Sequence, residues 1–142
     1  PNMRAALTAL ISAGHPLAIC TNKPLRPTLT VLEHLALTDC FKTIIGGDSL
    51  PVKKPDPAPL LAALQEIENG TPALYVGDSE VDAATAQAAG MPFALYANGY
   101  RKTSVEDIKA TYGMAYVFED FAEFPQIVEQ FAARSMSAKT DA

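Results

Sequence analysis

Short, unbroken apolar runs recur along this chain at residues 17–20, 44–45, 73–76, 93–96 and 116–118, and a stretch with helical spacing separates each from the next. Runs without polar alternation are strands buried on both faces, and a parallel sheet covered by helices supplies that environment. The helical stretches are equally regular. Residues 3–13 set Met3, Leu7, Leu10 and Ile11 on one face and stop at Gly14. Pro24 and Pro27 open a second helix with Leu29, Leu32 and Leu35 inward. Residues 58–67 carry Leu60, Leu61, Leu64 and Ile67 and end at Asn69-Gly70; the Ala-rich run 81–89 closes at Gly90. A short helix at 105–110 and a closing helix at 121–133 complete the alternation. An open parallel α/β sheet is the expected fold, with residues 1–134 as its core and 135–142, which lack an apolar face, as a disordered tail.

A chain of 142 residues with 49% hydrophobic content suffices for one domain with a sizeable core. The net charge of -5 and the dispersed basic residues leave no footprint for nucleic acid or an acidic membrane, so small-molecule partners are expected. No apolar stretch is long enough to cross a bilayer, and Pro1-Asn2-Met3-Arg4 lacks a secretory layout, which points to a cytoplasmic setting. Cys20 and Cys40 are expected as buried reduced thiols. The chain opens on a helix with no preceding strand, as though entered in the middle.

Three polar sites follow the apolar runs: Thr21-Asn22-Lys23, Lys54-Pro55, and Gly77-Asp78 with Asp82. In open α/β sheets ligands bind at the carboxyl ends of the strands, where these sites fall. The Thr21 hydroxyl and the backbone N–H groups of Asn22 and Lys23 suit an anion, or Thr21 serves as a turn or cap residue before Pro24. Lys54 could neutralise a phosphoryl group, although Lys53 beside it forms with it an ordinary solvated basic pair as well. Asp78 and Asp82, four apart at a strand-to-helix turn, can share a hard cation such as Mg2+, or Asp78 or Ser79 caps the helix while Asp82 meets its dipole. Glu80 reads as solvated.

The runs ICTNKP from residue 19, GGDSLPVKKPDPAPLL from 46 and YVGDSEVDAATAQAAGM from 75 resemble the second, third and fourth motifs of the haloacid dehalogenase-like phosphatases, and the phosphoglycolate phosphatase branch within them. The resemblance covers residues 1 to about 131. It implies a Rossmann-like three-layer sandwich and Mg2+-dependent hydrolysis of a small phosphomonoester, such as 2-phosphoglycolate, through an aspartyl-phosphate. It assigns phosphoryl binding to Thr21 with Asn22, charge stabilisation to Lys54, metal ligation to Asp78 and a supporting metal carboxylate to Asp82. Asn98-Gly99-Tyr100 is similar to a loop common in that branch.

Nothing before Leu17 matches the family's first motif, DxDx(T/V), which carries the nucleophile; Arg4 and His15 cannot replace it, and Asp39, Asp48 and Asp56 belong to other segments. The resemblance places the missing strand between the strand ending at Cys20 and the strand ending at Val76, and the helical cap is absent too. Two unpaired edges then face each other, to be closed by direct pairing, by self-association or by complementation with the missing segment. The chain alone is expected to be inactive; the alternative is a catalytically silent phosphate- and metal-binding or regulatory module. A phosphoacceptor receiver domain would place its acidic pair first and its lysine last, and a dinucleotide dehydrogenase would show GxGxxG after the first strand; neither pattern is present.

Overall fold

The computed structural model describes residues 2–67, 73–99, 103–112 and 116–141, with 134–141 described by backbone alone. Helices and strands alternate as α1 (Met3–Ser12), β1 (Ala18–Cys20), α2 (Leu25–His34), β2 (Thr43–Ile45), α3 (Ala58–Ile67) and β3 (Tyr75–Gly77), then α4 (Glu80–Ala89), β4 (Phe93–Tyr96), α5 (Val105–Tyr112), β5 (Tyr116–Phe118) and α6 (Phe124–Asp141). Short 3-10 turns occupy Thr38–Cys40 and Phe121–Glu123.

Every described pairing is parallel, but the strands form two sheets. β1 pairs with β2, setting Ile19 opposite Ile44; β3, β4 and β5 form the other sheet, with Val76 opposite Ala94 and Leu95 opposite Val117. β4 shows why its sequence is apolar throughout. Phe93 and Leu95 pack toward α3, α4 and α5, while Ala94 and Tyr96 pack toward α1 and α6. Both sheet faces are therefore covered, giving three layers, with α1, α2 and α6 on one side and α3, α4 and α5 on the other. Within α4, Ala83 and Ala86 have almost no exposed surface and let the helix lie close to the sheet.

No described ladder joins β1 to β3. Between them lies a cavity of about 660 Å³, lined by residues 17–20 on one edge and 74–76 on the other. The open edge explains why Leu17, Ala18 and Ile19 are only half-buried although their sequence calls for full cover.

Several inward assignments change. Leu35 is exposed, because α2 has ended and Ala36, at φ 57°, turns the chain so that Leu37 takes the buried position. Leu61, Met3 and Ile11 are also exposed; the buried stripes are the narrower sets Pro59, Leu60, Ala63 and Ala6, Leu7, Leu10. Cys20 is buried and Cys40 half-buried, and both are free thiols. The α6 backbone runs from Phe124 to Asp141, and no glycine or proline follows Pro125 in its sequence. Asn69, Gly70 and Tyr100 lie outside the described residues. No described helix is long and apolar enough to cross a membrane.

Candidate functional site

The loops after β1 and β2 are locked together at the carboxyl ends of their strands. The Thr21 N–H donates to the Ile45 carbonyl at 3.0 Å, extending the pairing one residue past β1. Its hydroxyl accepts the Lys23 N–H at 3.1 Å, so the turn role is present in the fold. Opposite, the Gly47 N–H donates to the Lys23 carbonyl at 2.7 Å. A Cβ at Gly47 would collide with the Asn22 backbone, so this approach needs glycine. Asp48 reaches back to accept the Leu25 N–H at 2.8 Å, capping α2, whose own N-cap, Pro24, makes no side-chain cap bond.

Asn22 connects this loop pair to the lysine. Its Oδ1 accepts the Lys54 N–H at 2.9 Å and its Nδ2 donates to the Lys54 carbonyl at 3.1 Å, which fixes the Lys54 backbone at both groups. The Lys54–Pro55 peptide is cis. The Lys54 ammonium donates to Asp82 Oδ1 at 2.5 Å and to the Tyr75 hydroxyl at 2.9 Å, and it lies 5.6 Å from the Tyr75 ring centroid. With side-chain exposures of 9% and 11%, the Lys54–Asp82 pair is mostly withdrawn from water. Lys53 is exposed, and its carbonyl accepts the Asp56 N–H in the turn. The adjacent lysines thus separate, and Lys54 is the one that turns inward.

At the end of β3, Asp82 is shared between neighbours. Oδ1 faces Lys54 and Tyr75, and Oδ2 accepts the Asp78 N–H and the Ser79 hydroxyl, each at 3.1 Å. Ser79 in turn accepts the Asp82 N–H at 3.3 Å and caps α4. A Cβ at Gly77 would overlap the Asp82 carboxylate. Sequence spacing suggested a cation between Asp78 and Asp82; in the fold Asp82 also meets Lys54, matching one buried charge with another. The Asp78 side chain lies against Gly99, in the loop after β4, whose Asn98 donates to the Glu119 carbonyl at 2.8 Å. Glu80 is exposed as expected, yet it accepts from Thr103 at 2.6 Å and Tyr112 at 3.3 Å.

Tyr75 is the site residue that sequence reading missed. Its hydroxyl accepts from Lys54 and lies 3.2 Å from both Asp82 Oδ1 and the Cys20 carbonyl, either of which can take its proton. Burial, reinforced by the Asp82 carboxylate, raises its pKa far above the ordinary tyrosine value. The signal was a tyrosine at the end of a buried strand, whose hydroxyl must find a partner. Burial also raises the Cys20 thiol, with Lys54 opposing and Asp82 adding to the shift.

The predicted residues are therefore joined by a continuous set of hydrogen bonds over the ends of β1 and β3: Thr21 through its neighbour Asn22, then Lys54, Asp82 and the Asp78 N–H. Among the described residues, no three His, Cys, Asp or Glu side chains converge into a ready metal cage. A divalent cation here would need water or phosphate oxygens to complete its shell, the usual arrangement for magnesium.

The haloacid dehalogenase-like hydrolase family model matches residues 1–96. The chain is 46% identical over 129 residues to a phosphoglycolate phosphatase of Rhodobacter capsulatus, covering 91% of this chain and 57% of that protein. It is 51% identical over 108 residues to one from Cereibacter sphaeroides strain ATCC 17025, covering 76% and 49%. The crystal structure of a predicted phosphoglycolate phosphatase from Haemophilus somnus 129PT superposes with a TM-score of 0.80 at 32% identity, over 90% of this chain and 56% of that one. A HAD-superfamily hydrolase of subfamily IA from Geobacter sulfurreducens PCA gives 0.72 at 33% identity, over 89% and 58%. The chain thus spans about half the length of the relatives it matches.

Proposed function

This chain belongs to the haloacid dehalogenase-like hydrolases, and on that premise we propose that it forms the binding half of a magnesium-dependent phosphatase acting on a small phosphomonoester such as 2-phosphoglycolate. The observation that carries this reading is the hydrogen-bonded line from the Thr21 loop through Lys54 to the Asp78–Asp82 turn, at one rim of parallel strands.

Each residue has a role consistent with its setting. The Thr21 hydroxyl and the N–H groups of its turn are donors to phosphoryl oxygens. Lys54, held at its backbone by Asn22 and at its ammonium by Asp82 and Tyr75, supplies a fixed positive charge as negative charge gathers on the phosphoryl group. Asp78 would be the magnesium ligand, and Asp82 would act chiefly by holding Lys54. When bound, the cation would neutralise phosphate charge and orient the phosphoryl group. The aspartate nucleophile of the proposed aspartyl-phosphate lies outside these 142 residues, so this chain alone should not turn over. A cytoplasmic setting belongs to the same proposal.

The test is calorimetric titration of the chain with inorganic phosphate in the presence of Mg2+, alongside a 2-phosphoglycolate hydrolysis assay. Phosphate should bind without turnover, with at least tenfold weaker binding in Lys54→Met and a lost magnesium dependence in Asp78→Asn. Absence of phosphate binding, or hydrolysis by the chain alone that Asp78→Asn abolishes, would overturn the proposal.

A further inference from the structure

We infer that Asn98 is a positioning residue for Asp78: its side-chain amide fixes the turn after β4, so that the Gly99 backbone bears on the Asp78 side chain and holds that carboxylate in one orientation for a divalent cation. The inference rests on the reading of Asp78 as the metal ligand and adds the part of the molecule that aims it.

Asp78 directly follows β3 and is half-buried. Its backbone is held from one side, because its N–H donates to Asp82 Oδ2 at 3.1 Å. That bond leaves the side chain free to settle in any of several staggered rotamers. The opposite wall narrows the choice. Gly99 lies so close that a Cβ there would overlap both the Cβ and Oδ2 of Asp78. Gly99 does not take a left-handed φ, so the turn geometry does not call for glycine at this position, whereas the contact with Asp78 does. The other carboxylate of the pair is met in the same way, by Gly77 against Asp82.

Such a wall is only as firm as the turn that carries it. β4 is tied to β5 one residue past its end, where the Ala97 N–H donates to the Phe118 carbonyl at 2.7 Å. Asn98 then adds a side-chain bond, from Nδ2 to the Glu119 carbonyl at 2.8 Å. The bond that closes the turn itself, from the Gly99 N–H to the Tyr96 carbonyl, is 3.5 Å long and therefore weak. Asn98 is the stronger hold. Its acceptor is fixed in turn, since Glu123 Oε2 accepts the N–H groups of Glu119 and Asp120 at 3.1 and 3.2 Å. A line of contacts thus runs from the end of β5 through Asn98 and Gly99 to Asp78. Groups that orient a metal ligand without touching the metal change affinity by about 10- to 100-fold when removed.

The test uses the full 142-residue chain with Mg2+ alone as the probe. Asn98 is exposed, so Asn98→Ala leaves the core untouched. Its Mg2+ affinity by calorimetry should fall about tenfold with the thermal melt unchanged, and Asn98→Gln, which keeps an amide donor, should recover part of the loss. Three-bond couplings to the Asp78 Cγ, read by NMR without metal, should report one rotamer in the parent and averaging in Asn98→Ala. Gly99→Ala should move Asp78 to a different rotamer. Unchanged affinity or unchanged couplings in Asn98→Ala would overturn the inference, as would an averaged Asp78 already in the parent. A loss of affinity that follows a lowered melt and is not recovered by Asn98→Gln makes Asn98 a structural residue only, and overturns it too. Failure of the metal reading looks different: the parent takes up no Mg2+ while the couplings still separate it from Asn98→Ala, an outcome that overturns the service to a cation and leaves the hold on Asp78 standing.

Discussion

Two boundaries between neighbouring strands are built in opposite ways. β3 and β4 are joined along their length by a parallel ladder, and behind it Ala94 and Leu95 are 0% exposed. β1 and β3 share no described ladder and are joined at one end, where Tyr75 reaches the Cys20 carbonyl and Lys54 binds Asp82. Strand sequences of the same apolar character thus reach different burial, because a strand is covered by its in-sheet neighbours as well as by helices. The difference also teaches where polar side chains carry structural weight: at the boundary that has no ladder.

The sharpest way to break the second boundary is Lys54→Met, which strands the Asp82 carboxylate at 11% exposure. It should cost about 3–5 kcal/mol in urea denaturation, and Lys54→Met with Asp82→Leu should recover most of that loss. A negligible loss would show that the bridge does not hold the boundary. Next, Leu95→Ala behind the ladder should cost about 2–5 kcal/mol, and Ile19→Ala beside the gap no more than half as much. Equal costs would erase the contrast.

Tyr75→Phe tests the hydroxyl, with an expected loss of about 1 kcal/mol at neutral pH. It also carries a pH signature. The raised pKa values of Tyr75 and Cys20 mean that the folded chain keeps protons which the unfolded chain releases. Stability is therefore full below the unfolded values, about 8.5 for cysteine and about 10 for tyrosine, and falls as pH rises beyond them. Denaturation from pH 7 to 10.5 should show this fall in the parent, and a shallower one in Tyr75→Phe. The smallest effect is expected at Asp120, whose carboxyl is held below its usual range by the Ala122 N–H and by Asn2. Its contribution is present above the unfolded value and lost on acidification, and Asp120→Asn should leave amide exchange at the β1–β3 boundary unchanged.

The alternation of helices and strands was legible because each apolar run is short, continuous and followed by a turn signal. Leu35 was misplaced because nothing local announces the positive φ at Ala36. Lys53 and Lys54 could not be separated in sequence, since the choice depends on Asn22, 32 residues away, gripping one backbone. Asp82 four residues after Asp78 reads as a carboxylate pair; its partner, Lys54, is set by tertiary folding over 28 residues. Tyr75 looked like core, and its ring is core, but its hydroxyl belongs to the rim.

The grip of Asn22 on Lys54 has a consequence for ligand binding. A lysine side chain carries about 2 kcal/mol of rotamer entropy, which a flexible surface lysine surrenders when an anion arrives. Here the backbone is clamped on both of its polar groups and the ammonium is tethered twice, so that freedom disappears during folding. On the proposed reading, an arriving anion would meet a charge already standing still.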